Sequence, residues 1–318
     1  MKKRMSLSKQ NLNNRKPLVS IIMPVYNAGD FLWEAITSVL KQTYANFELI
    51  AINDGSTDKS LKMLKAIAKK DKRIKVLSIK ENGGLGIAGN LGIKQTKGKY
   101  LSRFDADDIM PQDRLEKQVK YMEEYPGVVA LGGQCILVDD RGKEIGRKEF
   151  PLADSEIKKM SFYAMSLQAG TMMINRKRLP RNFVYYSSNY RYAEDHELLF
   201  RLFDYGKLAN LPDNLLFYRQ HDYNSTKIVD PKAVFKKIYK IRKKWLKRYY
   251  HAGLTEHILN IVQYFIVTIL PTNSIPRVFE ILRGMKPLIP VINFSMDISK
   301  FILRSTSKAY LTFKNYLF

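Results

Sequence analysis

In 318 residues the sequence has a single cysteine, Cys135. That excludes an internal disulfide and a cysteine-rich zinc site, and it fits a reducing compartment. Cys135 lies in an apolar run, as a core residue would. No apolar stretch is long enough to cross a bilayer: Ile258 to Leu270 is closed by Pro271 after thirteen residues, where about twenty are needed. The basic start Met1-Lys2-Lys3-Arg4 is followed by polar Gln10-Asn11-Leu12-Asn13-Asn14, which is not the pattern of a signal peptide. The glycine cluster at 82–90 lacks the Gly-Lys-Ser/Thr of a P-loop. Acids are scarce as well, 30 against 54 Lys and Arg, for a formal charge of +24.

That imbalance is local. Residues 1–16 hold six Lys or Arg and no acid, and residues 232–318 hold sixteen against three acids. The two ends thus carry +19, and the middle is nearly ordinary. A basic arm and tail suit an anionic partner, either nucleic acid or a membrane surface.

Between the ends, apolar runs alternate with helical spacing. Val19 to Asn27, Phe47 to Ile52, Ile74 to Ile79 and Lys99 to Phe104 read as buried strands. Phe31 to Leu40, Lys59 to Lys70 and the residues after the glycine cluster read as helices between them. Strict alternation predicts a doubly wound, mainly parallel α/β sheet. After Pro126 the pattern changes. Val128 to Val138, a turn at Asp139-Asp140-Arg141-Gly142, Ile145 to Phe150, Gly170 to Ile174 and Leu215 to His221 predict added antiparallel strands. Helices are expected near Ser155 to Met165 and at Leu198 to Phe203. From Pro231 a basic helix, Lys236 to Tyr250, and the apolar Ile258 to Leu270 form a helical appendage. The expected organisation is an arm (1–16), a catalytic domain (17–230) and a basic, apolar helical region (231–318).

Several strands end in acids. The fourth ends in Asp105-Ala106-Asp107-Asp108. Strand alternation would aim Asp105 and Asp107 one way and Asp108 the other, and converging carboxylates call for a hard divalent ion, Mg²⁺ or Mn²⁺. Asp54 ends the second strand, where Asp54-Gly55-Ser56 forms a turn and Ser56 or Thr57 is expected to cap the next helix. Glu194 and Asp195 stand at a helix start, which favours ionised carboxylates. Adjacent helical residues diverge by about 100°, so one of them should face the crevice, as a general base toward a hydroxyl. His221 ends the last strand beside Arg219. The glycines of 82–90 suit a close approach to a diphosphate or a tight strand-to-helix turn.

Pro24-Val25-Tyr26-Asn27, Asn53-Asp54-Gly55-Ser56-Thr57-Asp58, Asp105-Ala106-Asp107-Asp108, Glu194-Asp195 and Tyr218-Arg219-x-His221, in this order, resemble family 2 glycosyltransferases with the GT-A fold, of the type that builds bacterial capsule, O-antigen or lipooligosaccharide. The resemblance covers about residues 17–226. It implies that Pro24, Tyr26, Asn27, Asp54, Arg103 and Asp105 lie on the donor side, and that Asp107, with His221, holds the metal. It makes Asp195 the base, with Glu194 and Arg219 on the acceptor side or behind it. It also implies an inverting, metal-dependent hexosyl- or N-acetylhexosaminyltransferase that uses a nucleotide-sugar donor, expected to be a UDP-sugar, and a saccharide or lipid-linked acceptor. Two positions depart from the family pattern: Ala88-Gly89-Asn90 stands where many relatives have Ala-Arg-Asn, and Ala169-Gly170-Thr171 where close relatives often have His-Pro-Thr.

A nucleic-acid binder would explain the charge but not strand after strand ending in acids, so no nucleic-acid partner is expected. The tail, with Trp245, Tyr249, Tyr250 and the apolar Ile258 to Leu270, is expected to dock a cytoplasmic enzyme on the anionic inner face of a bacterial membrane without crossing it. A helical appendage packed on the catalytic domain or on a second subunit is the alternative.

Overall fold

The computed structural model describes residues 16–224, 229–249, 254–272, 275 and 285–287. Strands β1 (Val19–Val25), β2 (Phe47–Asp54), β3 (Ile74–Ile79) and β4 (Tyr100–Arg103) stand parallel in the order β3-β2-β1-β4. Helices α1 (Phe31–Leu40), α2 (Ser60–Ala68) and α3 (Gly84–Ile93) are the crossovers. Both faces of β1 and β2 are covered, so residues of either parity are buried and the runs lack polar alternation. α1 turns Leu32, Ala35, Ile36 and Val39 inward at helical spacing.

The second half adds α4 (Arg114–Glu124), β5 (Val128–Val138), β6 (Glu144–Lys148), α5 (Asp154–Ser161), β7 (Met173–Asn175), α6 (Glu194–Leu202) and β8 (Lys207–Arg219). β7 runs antiparallel to β4 on one side and to β5 on the other, with Ile174 opposite both Leu101 and Ala130. β5 and β6 form the expected hairpin. The Asp139 carboxylate accepts from Arg141 N and Lys143 N, and Gly142 takes φ +82°. β8 differs from expectation. It starts at Lys207 instead of Leu215 and runs parallel to β5, from Val128 opposite Lys207 to Val138 opposite Arg219. Pro212 hid it, because a proline argues against a paired strand. The ladder tolerates it at a break in register around Gly133 and Gln134.

β4 ends at Arg103, so Asp105 to Asp108 form a turn and strand alternation does not govern their side chains. The turn is held to β8 by paired backbone bonds between Ile109 and Phe217 (3.1 and 3.0 Å).

The chain continues into α7 (Pro231–Arg248) and α8 (Leu254–Ile269). Pro231 opens α7 behind Asp230, whose carboxylate accepts from Lys232 N (2.9 Å). α7 packs on α6: Trp245 is buried, stacked on Phe200 at 5.7 Å, and Tyr249 is half-buried against Phe203. This corrects the expectation that Trp245 and Tyr249 face lipid headgroups. The expectations for residues 1–15 and Tyr250 lie outside the described residues. The described residues up to Met285 form one compact unit.

Gly55 closes β2 at φ +71°, and a Cβ there would sit 2.7 Å from Asn82 N and from the Glu81 carbonyl carbon. Both the conformation and the backbone contact demand glycine. Gly55→Ala should therefore lower stability by about 1–3 kcal/mol, read as a lower urea midpoint. An unchanged midpoint would contradict the packing at this turn.

Candidate active site

Two loops meet at the carboxyl ends of β1 and β2. Asn27, at φ +47°, accepts at its Oδ1 from Thr57 N (2.8 Å), and its own N–H donates to Ser56 Oγ (3.1 Å). Asp58 accepts from Gly29 N (3.0 Å) and Ser60 N (2.9 Å). The hydroxyl of Ser56 and the amide of Thr57 thus lock the Asn27 loop instead of capping α2, where Asp58 provides the side-chain bond. Pro24 is half-buried in β1, and Tyr26 is left 52% exposed just beyond it.

Asp54 is 3% exposed, and its two oxygens accept from Gly83 N (2.8 Å) and Gly84 N (2.9 Å). Its observed role is to cap α3. The glycine-rich segment is accordingly a tight strand-to-helix turn, with those amides already taken. Sequence reasoning missed the cation beside it: Arg191 Nη2 donates to Asn82 Oδ1 (3.3 Å), and its Nε lies 3.2 Å from where a Gly84 Cβ would stand.

The centre of the site is Arg103. Its guanidinium binds Asp105 (2.9 Å) and Asp195, joining the end of β4 to the first turn of α6. Glu194 diverges from Asp195 and is buried against α3, with Oε1 3.6 Å from the Cβ position of Gly86. Burial raises the Glu194 pKa, and the neighbouring Asp195 adds to that. Asp107 Oδ2 meets His221 Nε2 at 3.0 Å, and His221 stacks on Phe31 at the start of α1 (4.8 Å). Tyr223 N donates to His221 Nδ1 (3.2 Å), which leaves Nε2 as the N–H facing Asp107.

Asp108 is 1% exposed. Its Oδ1 accepts from Arg219 N (2.9 Å), and its Oδ2 has no hydrogen-bond partner among the described residues. Burial raises its pKa well above the usual range, and Asp107 and Asp105 push the same way. Asp105 is also raised, by burial first and then by Asp107 and Asp195, against the opposing pull of Arg103. Burial alone would lower the Arg103 pKa, but Asp105 and Asp195 outweigh it and raise it. Behind the turn lies Arg114, 0% exposed, bonded to Ser102 Oγ (3.1 Å) and Gln118 Oε1 (3.1 Å), and lowered by burial to about 10.

This donor set can accept a cation. A Cβ on Gly170, in the 3₁₀ turn Ala169–Thr171, would stand 3.6 Å from Asp108 Oδ2 and 3.7 Å from Asp105 Oδ2, so a bare glycine keeps space beside an orphaned carboxylate oxygen. Two ligands at right angles on an octahedral ion, each about 2.1 Å from it, lie about 3.0 Å apart, which is the Asp107–His221 separation once the Nε2 proton is gone. Among the described residues no three His, Cys, Asp or Glu side chains form a metal-binding group. Among the described residues, Asp107 and His221 are thus the pair whose spacing fits such an ion.

Arg219 is buried, and its hydrogen bonds among the described residues are made within the protein. It donates to the carbonyls of Asp107 (2.9 Å), Asp140 (2.8 Å) and Asp139 (3.3 Å) and to the Glu34 carboxylate, with its guanidinium over Phe31.

A mainly parallel sheet with two interlocked loops at its carboxyl edge and an acidic turn after β4 is a GT-A scaffold, and sequence comparison agrees. The chain belongs to glycosyl transferase family 2, whose family model matches residues 20–182. An uncharacterized glycosyltransferase of Haemophilus influenzae is 34% identical over 220 residues, 67% of this chain and 68% of that one. Several other curated relatives match over about half of their own length or less. In fold, the chain resembles Staphylococcus aureus TarS solved with UDP-GlcNAc (TM-score 0.61, 20% identity, 80% of this chain and 74% of that one). It also resembles the Pyrobaculum calidifontis mannosyltransferase PcManGT solved with GDP-Man and Mn²⁺ (TM-score 0.57, 15% identity, 99% and 91%).

Because Arg219 is a strut, Arg219→Met should act on the fold before it acts on acceptor use. Leaving three carbonyls and the Glu34 carboxylate without their shared donor should cost about 1–3 kcal/mol, seen as a lower thermal midpoint. Wild-type stability with a selective rise in acceptor KM would instead return Arg219 to the acceptor site.

Proposed function

We propose that this chain is an inverting, metal-dependent hexosyl- or N-acetylhexosaminyltransferase that moves a sugar from a UDP-sugar to a hydroxyl of a saccharide or lipid-linked saccharide. It would work in surface-polysaccharide synthesis at the inner face of a bacterial cytoplasmic membrane. The observation that carries this reading is the placement of Asp195, a half-buried carboxylate in the first turn of α6, across Arg103 from the acidic turn at Asp105 to Asp108. The fold shared with TarS, solved with UDP-GlcNAc, and with PcManGT, solved with GDP-Man, supports a nucleotide-sugar donor.

In this scheme the donor lies over the carboxyl edge of β1, β2 and β4. Tyr26 and the Asn27 loop face the base, and Asp105 with Arg103 faces the ribose and diphosphate. Asp54 acts behind them, by holding the α3 turn. Asp107 and His221 would hold a divalent ion, which when bound neutralises charge on the departing diphosphate. Asp195 takes the proton of the acceptor hydroxyl as that oxygen bonds to the anomeric carbon. The bond to the diphosphate breaks in the same displacement, its electron pair leaving with the nucleoside diphosphate, so the configuration inverts and no covalent enzyme intermediate forms.

Purified protein offered a panel of nucleotide sugars with Mn²⁺ should release nucleotide from one class, and EDTA should stop it. Asp195→Asn should keep donor affinity while turnover falls by about 10²–10⁴. No release from any nucleotide sugar would overturn the activity. Lost donor binding in the variant would move Asp195 to the nucleotide site.

A further inference from the structure

α8 is turned inside out. Its inward residues include the polar Asn260 and Gln263, with Gln263 accepting from Arg242 of α7 (2.9 Å), beside Tyr264 and Val267. Its outward residues are apolar: Ile258, Ile261, Val262, Phe265, Ile266 and Ile269 are 39–54% exposed. From His257 to Thr272 there is no Asp, Glu, Lys or Arg. A helix meeting water would bury those isoleucines and expose the amides, since each large aliphatic side chain gains about 1.5–3 kcal/mol on burial. An apolar face of this size calls for an apolar surface to cover it.

Charge selects that surface. α7, which packs against α8 through Tyr239 on Tyr264 (4.4 Å), exposes Lys236, Lys240, Lys243, Lys244 and Lys247. The sequence from 277 onward adds seven Lys or Arg against two acids. Exposed lysines on one helix and an uncharged apolar face on the helix packed against it match an anionic lipid leaflet, where headgroups meet the lysines and acyl chains meet the isoleucines. α8 has sixteen residues, about 24 Å of helix, which is short of the roughly 30 Å hydrocarbon core. No described helix is long and apolar enough to cross a membrane. We propose that the outward face of α8 lies in the plane of an anionic membrane, with α7 supplying the electrostatic attraction. This inference specifies the docking surface for the membrane site of the proposed transferase.

The test compares full-length protein with Ile261→Asp/Phe265→Asp, two exposed changes on that face. Wild-type protein should float with phosphatidylglycerol-containing vesicles and not with pure phosphatidylcholine, and the double variant should float at least about tenfold less. Equal flotation of the two proteins overturns the proposal. So does a wild-type dimer that the variant breaks without any vesicle binding, since a second copy would then cover the face. Nucleotide release in solution should be the same for both. Its absence from both would count against the transferase reading and leave the docking result standing.

Discussion

Like charges brought together at the carboxyl end of β4 constrain everything around them. Burial raises the pKa of Asp105 and of Asp108; the charges of Asp107 and Asp195 add to the first shift, and those of Asp107 and Asp105 to the second. Two such charges about 4 Å apart repel by about 4 kcal/mol at an effective dielectric near 20, a large part of the roughly 5–15 kcal/mol by which a domain is stable. The structure answers with buried cations. Arg103 bridges two of the four, Arg114 lies behind the turn, and Lys148 pulls the Asp108 pKa down against its burial. Even so, one Asp108 oxygen has no hydrogen-bond partner among the described residues. Keeping such a group buried costs stability, and perturbed, unpaired groups of this kind cluster at functional sites.

The parallel half of the fold was legible because each strand is a buried apolar run and each crossover has helical spacing. The hairpin was legible because Asp139 to Gly142 carries the turn chemistry. β8 was not, since Pro212 breaks the pattern that pairing usually imposes. The candidate site divides in the same way. Asp105, Asp107, Asp195 and His221 stand out because acids and histidine after apolar runs are conspicuous. The tasks of Asp54 and Arg219 were hidden because they depend on partners far along the chain: Gly83 and Gly84 for one, Glu34 and the Asp139–Asp140 carbonyls for the other. Trp245 misled for a related reason. Aromatic residues among lysines suit an interface, yet Phe200 lies where it can be covered.

Arg219 also shows how the site is held together. One guanidinium ties α1, the β5–β6 turn and the acidic turn, while its own backbone N–H holds Asp108. Phe31 lies beneath both Arg219 and His221. Phe31 also donates its N–H to Ala28 O (3.3 Å), so the Asn27 to Gly29 loop and the Asp107–His221 pair share one support.

The pairing of β5 with β8 bears on how the chain is made. β5 lies within the family-matched segment 20–182, but its parallel partner is residues 207–219. During synthesis β5 emerges early and must wait for the later strand with one edge open, and unpaired edges invite association with other chains. In this chain the matched segment therefore leaves one edge of β5 unpaired until residues 207–219 follow. Closing the sheet edge requires the same late stretch of chain that carries Asp195 and His221 into place, so the sheet and the chemistry are completed together.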